Sequence, residues 1–196
     1  MSKVPIIITG FMGSGKTTVA QALARILDCP SIDLDQLITE RAGRTPTEII
    51  EQDGQSGFRE IETRLLRQVL GQGSARVIAL GGGAWTMQTN RDLIAEHNGF
   101  AIWLDAPFAL CWQRITTAGQ KRPLAGSEEQ ARKLYEERRP VYELATLRVT
   151  VAGREVYESA LAIARRLAGD GITDGPLHLD GPGNQRRSIT PRSPAR

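Results

Sequence analysis

The 196-residue chain is 40% hydrophobic, enough for one compact domain with a substantial core. A formal net charge of only +3 and an aromatic content of 5% argue against a basic nucleic-acid face or a base-stacking platform, and suit small anionic ligands. Cys29 and Cys111 sit in no CxxC pair and read as free thiols of a reducing compartment. The first apolar run, residues 4–9, is too short to cross a membrane and has no signal-peptide pattern, so a cytoplasmic chain with neither membrane nor nucleic-acid partner is expected.

Taken in order, residues 4–9 predict a buried strand, followed by a glycine-rich turn. Residues 17–27 predict a helix with Val19, Leu23, Ile26 and Leu27 on one side. Residues 30–34 predict a short second strand, and the pattern is then helical as far as Ala42. Residues 58–70 predict a helix whose buried stripe is Ile61, Leu65, Leu66 and Val69. Residues 76–80 predict a strand running into three glycines, and residues 100–104 another, with Pro107 placed to open the next helix. Residues 119–126 read as a loop, closed by Ser127 as the N-cap of a helix from Glu128 to about Ala145. A strand over 147–151 and a helix over 156–167 complete the body. Strands apolar on both faces, alternating with helices, give an α/β chain with a parallel sheet covered on both sides. A single domain over 1–168 is expected. Residues 169–196, with five glycines, four prolines and no periodicity, read as a flexible tail.

The strongest motif is Gly10-Phe11-Met12-Gly13-Ser14-Gly15-Lys16-Thr17, which matches G-x-x-x-x-G-K-[ST] and lies between a predicted strand and a predicted helix. Glycines let backbone N–H groups wrap a phosphate, and the helix N-terminus favours negative charge. Lys16 can reach the β- and γ-phosphates of ATP, and Thr17 can offer its hydroxyl to Mg²⁺. These features point to a P-loop nucleotide-binding chain; the loop alone fits a GTPase, an ATPase motor or a kinase, and the residues that follow favour an ATP-dependent phosphotransferase.

Magnesium also needs a carboxylate, and two settings offer one. Asp105 ends an apolar strand, as a Walker B acid does. Asp33 and Asp35, at i and i+2 on a strand end, can sit side by side, one serving the metal and the other an acceptor hydroxyl. Like charge would raise the pKa of one of them. The pair is the preferred reading; the simpler one is that either aspartate caps the following helix. Arg59 and Glu62, three apart on one helix, form either a surface pair or a guanidinium held ready to grip a carboxylate. Gly81, Gly82 and Gly83 directly after a strand suggest close approach to the backbone, against a plain turn. Arg122, in a basic and flexible stretch, suits a lid over about 116–127. Arg114 can stack on an adenine ring. Arg138 and Arg139 form a further cluster before Pro140 and Tyr142.

In this order and spacing, the loop 10–17, Asp33-Leu34-Asp35, Phe58-Arg59-Glu60-Ile61-Glu62, Gly81-Gly82-Gly83, Arg122-Pro123-Leu124-Ala125-Gly126 and Arg138-Arg139-Pro140-Val141-Tyr142 resemble the shikimate kinases over about residues 4–167. The resemblance implies a three-layer α/β/α P-loop fold with a five-stranded parallel sheet in the order 2-3-1-4-5. It also implies transfer of the γ-phosphate of ATP to the 3-hydroxyl of shikimate, with Mg²⁺. Gly13, Ser14, Gly15, Lys16, Thr17, Thr18, Arg114 and Arg122 would serve the nucleotide, and Thr17 and Asp33 the metal. Lys16, Asp35 and Arg122 would be catalytic. Asp35, Arg59, Gly81, Gly82, Gly83 and Arg138 would hold shikimate, with Glu62 orienting Arg59 and Arg138 preferred over Arg139. The substrate region would cover about 33–62, and a monomer is expected. The chain departs from the family pattern at Gly54-Gln55, where glycine is usually followed by glutamate. The rival readings are a related small-molecule kinase such as a gluconate kinase, and a nucleotide-binding module without turnover.

Overall fold

A computed structural model describes residues 4–117 and 126–169. The elements run β1 (Ile6–Thr9), α1 (Lys16–Ile26), β2 (Ser31–Asp33), α2 (Leu34–Ala42), α3 (Pro46–Gln72), β3 (Val77–Ala79), a 3-10 turn (Ala84–Thr86), α4 (Gln88–Glu96), β4 (Phe100–Asp105), α5 (Phe108–Thr117), α6 (Glu128–Tyr142), β5 (Leu147–Thr150) and α7 (Val156–Gly169). The five strands form one parallel sheet in the order β2-β3-β1-β4-β5, the centre of a three-layer α/β/α fold.

β1 is central because it is apolar on both faces. Ile6, Ile7 and Ile8 are fully buried, and Ile7 pairs with Ile78 of β3 on one side and Ala101 of β4 on the other. The strand order reverses at β1, so the crevice at its C-terminal end is where an open α/β sheet binds ligands. The P-loop leaves the sheet at that point. α1 then packs Val19, Leu23 and Ala24 inward and lies against α7.

Residues 43–57 and 84–99, which no predicted element covered, contain further helices. Thr45 and Glu48 close a reciprocal capping box, and Pro46 occupies the first helical turn, so α3 starts twelve residues before Phe58. Gly54 interrupts α3 with φ 76° and ψ 172°. A short arm before it and a long helix after it therefore point in different directions. Ile49 on the arm is fully buried. On the long part Leu65, Leu66 and Val69 of the predicted stripe are buried, while Ile61 is only partly buried and Glu62 points inward beside it. α4 follows the 3-10 turn. Its buried Asn90 accepts from Thr63 at 2.8 Å and donates to the Ala84 carbonyl at 3.0 Å, tying that turn to α3.

Candidate active site

The P-loop is braced from below. A Cβ on Gly13, where φ is 77°, would lie 2.6 Å from the Cys111 carbonyl oxygen. The loop therefore rests directly on α5, and Cys111 is buried beneath it with its thiol pushed up to about 11 by burial. Lys16 Nζ donates to the Phe11 carbonyl at 3.0 Å, inside the curve of the loop. Arg114, at the end of α5, donates to the Gly13 carbonyl at 3.1 Å, so this side chain lies along the loop's outer edge. Ser14 is buried, while Thr17 and Thr18 face outward at the start of α1. Arg122 lies outside the described residues, as does most of the expected lid.

The two aspartates do not sit side by side as expected. The strand ends at Asp33 and the helix begins at Leu34, so the alternation that would align i and i+2 is broken. Asp33 caps α2 by accepting from Gln36 N at 3.1 Å, and its other oxygen accepts from Thr17 Oγ1 at 2.5 Å. Asp33 thus caps α2 and also contacts the threonine that closes the P-loop. Asp35, in the first turn of α2, faces a different place, with Oδ1 only 2.6 Å from where a Cβ on Gly81 would be.

That place is a pocket beside the P-loop. Its floor is Gly81, Gly82 and Gly83, and its walls include Met12, Asp35, Arg59, Glu62 and Arg138. The glycines are there for clearance. A Cβ on Gly83 would fall 2.0 Å from Arg59 Nη2, and one on Gly82 would fall 3.3 Å from Met12 N. Pro46, Thr47 and Ile50 from the α3 arm and Phe58 close the opposite side. These lining residues were missed in the sequence, although Thr45-x-x-Glu48 was the signal that a helix starts there.

Arg59 and Glu62 are not a surface pair. Their side chains are 11% and 0% exposed, and Arg59 Nη1 donates to Glu62 Oε2 in a short contact. Burial pushes the Glu62 carboxyl up to about 7. The Arg59 guanidinium pulls the other way, and the charge of Asp35 pushes the same way as burial.

Arg138 and Arg139 separate cleanly. Arg138 is buried, lines the pocket and donates to the Gly82 carbonyl at 3.1 Å. Tyr142, one turn further along α6, donates to the same carbonyl, and burial pushes its phenol up to about 12, so it remains a donor. Trp85 Nε1 donates to the Val141 carbonyl at 2.9 Å, tying α6 to the 3-10 turn that follows the floor. Arg139 turns away to Asp105 at 3.2 Å. Arg148 of β5 also reaches Asp105, at 2.5 Å, and both guanidinia lie over the Trp103 ring, at 5.2 and 4.8 Å. Asp105, the alternative metal acid, is occupied by two arginines.

Among the described residues, Thr17, Asp33, Lys16, Asp35, Arg59 and Arg138 therefore gather at the C-terminal edge of the sheet. Residues 12–168 match the family model described as shikimate kinase. The chain belongs to the shikimate kinase family. It is 38% identical over 169 residues to the shikimate kinase of Cereibacter sphaeroides, covering 85% of this chain and 83% of that one. It is 41% identical over 162 residues to that of Geobacter sulfurreducens, covering 81% and 88%. A solved shikimate kinase from Acinetobacter baumannii in complex with shikimate superposes with a TM-score of 0.79 at 33% identity, covering 86% of this chain and 96% of that one. A gluconokinase from Sinorhizobium meliloti reaches a TM-score of 0.53 at 20% identity over 86% of this chain and 95% of that one, a likeness of fold alone.

Proposed function

We propose that this chain works as an ATP-dependent shikimate kinase through the residues gathered around its glycine floor. The reaction is transfer of the γ-phosphate of ATP to the 3-hydroxyl of shikimate, giving shikimate 3-phosphate and ADP. The observation that carries the site assignment is the meeting of Arg59, Arg138 and Asp35 over Gly81–Gly83 beside the P-loop. Two guanidiniums can grip a carboxylate, and an aspartate can orient hydroxyls. Together they describe a small polyhydroxylated acid.

Lys16 exchanges the Phe11 carbonyl for nucleotide phosphate oxygens and stabilises charge as it develops. Asp35 orients the attacking hydroxyl and is placed to accept its proton. Arg59, held by Glu62, and Arg138, held by the Gly82 carbonyl, position the acceptor carboxylate. Arg114 serves the nucleotide side from the loop's edge, and Arg122 is assigned to the lid. Thr17 and Asp33 offer adjacent oxygen donors, which fit Mg²⁺, a hard cation. Mg²⁺ held there would neutralise phosphate charge. Cys29 and Cys111 are joined in no disulfide, which supports a cytoplasmic location, and Leu144 as the exposed large apolar side chain among the described residues supports a monomer.

The test is ADP release from ATP and Mg²⁺, with and without shikimate, and with gluconate and a nucleoside monophosphate as comparison acceptors. ADP release that depends on shikimate alone is expected. Equal release with the other acceptors, or none with shikimate, would overturn the acceptor assignment.

A further inference from the structure

The acceptor pocket holds one more acid than its charge balance needs. Arg59 and Arg138 bring two positive charges; Asp35 and the carboxylate of the assigned acceptor bring two negative ones. An ionised Glu62 would add a third negative charge at a fully buried position. Its two oxygens are also in unequal surroundings. Oε2 accepts from Arg59, whereas Oε1 is buried with no hydrogen-bond partner. A bare buried carboxylate oxygen is costly, and a protonated one is a donor that needs only an acceptor.

The acceptor is nearby. Glu62 Oε1 lies 2.8 Å, and Asp35 Oδ1 2.6 Å, from the single point where a Cβ on Gly81 would sit. Both carboxyl oxygens thus border the one space that a side chain at Gly81 would fill. The charged groups acting on Glu62 are Arg59 of its own helix, Asp35 from α2 and Arg138 from α6, while the floor contributes only glycines. Burial and Asp35 favour the neutral acid; the two arginines oppose it.

We propose that Glu62 is a proton-holding positioning residue. It keeps a proton on Oε1 and directs it to Asp35 Oδ1 across Gly81, while Oε2 continues to hold Arg59. Losing that proton leaves two facing carboxylates and an excess negative charge where an anionic acceptor must bind. Acceptor affinity then falls as pH rises through neutrality. The inference rests on the acceptor assignment above for its kinetic consequence, but not for the proton itself.

The test pairs kinetics with a titration that needs no substrate. In Glu62→Gln, the amide carbonyl can accept from Arg59 and the NH₂ can donate to Asp35, so the variant imitates the protonated acid at every pH. The wild-type KM for shikimate is expected to rise about tenfold between about pH 6 and pH 8, following the protonated fraction of a group that titrates near neutrality. In Glu62→Gln it should stay near the low-pH value throughout, and the KM for ATP should follow one course in both proteins. In wild type labelled with ¹³C at the glutamate carboxyls, the Glu62 resonance, assigned by its loss in the variant, should titrate near neutrality. A Glu62 resonance already at its ionised position at about pH 6 would overturn the proposal. So would a Glu62→Gln KM that is far above wild type at low pH or still climbs with pH. If the variant does not fold, the resonance can be assigned through Glu62→Asp, and the wild-type titration decides. A neutral-range titration without shikimate-dependent turnover would instead break the acceptor assignment and keep the proton on Glu62.

Discussion

Arg138 and Arg139 are neighbours in the chain with opposite tasks. Successive residues on a helix point about 100° apart, so one faces the pocket and the other the Asp105 cluster. The sequence narrows the choice to these two but cannot set the phase of α6; that comes from Tyr142 docking on Gly82 and from Trp85 donating to the Val141 carbonyl. The P-loop residues, by contrast, are legible because their chemistry lies in one contiguous stretch. Arg59→Ala removes a charge-assisted grip and is expected to raise the KM for shikimate about 10- to 100-fold, with the KM for ATP unchanged in steady-state kinetics. Glu62 carries a consequence for stability as well. Its carboxyl is raised from 4.5 to about 7, so the folded state holds the proton more tightly than the unfolded one. The stabilisation is complete below about pH 4.5 and is lost as pH rises through about 7, a change of about 3 kcal/mol. Denaturant unfolding should show wild type losing about that much relative to Glu62→Gln across this window.

The elements that packing makes periodic are the ones the sequence reveals. β1, α1, the long part of α3, β4 and α7 were predicted within a few residues, because each buries an apolar face. The α3 arm and α4 were not. The arm lies between Gly43 and Gly54 and buries little beyond Ile49, so local glycines outweigh its pattern; its helix depends on the Thr45–Glu48 box. α4 is mostly polar, with Asn90, Leu93 and Ile94 buried. The separation of Asp33 from Asp35 has the same origin, a strand that ends one residue earlier than predicted. Gly54 fixes the direction of the arm. With φ at 76° and ψ at 172°, a region essentially reserved for glycine, Gly54→Ala is expected to cost about 1–3 kcal/mol in thermal or denaturant unfolding. It should also raise the KM for shikimate, because Pro46, Thr47 and Ile50 are carried by the arm.

At the scale of the whole molecule, the parallel sheet brings to one edge residues that are far apart in the chain. Asp105 is the tie at that edge, joining β4 to β5 through Arg148 and to α6 through Arg139. Asp105→Asn is expected to lower stability by on the order of 1–2 kcal/mol, the modest size following from half-exposed partners. The dependence of rate on magnesium should be preserved. A shifted magnesium activation constant in that variant would return Asp105 to the metal.

The glycine floor sets a different kind of limit. The floor of the acceptor pocket resists point mutation, because the first atom of a new side chain overlaps the Asp35 and Glu62 carboxyls at Gly81, displaces Arg59 at Gly83 and presses on the P-loop backbone at Gly82. Diversification toward another acceptor has one open route, the opposite wall of Pro46, Thr47, Ile50 and Phe58. A laboratory search for altered acceptor preference would be most productive if its random codons were confined to that wall.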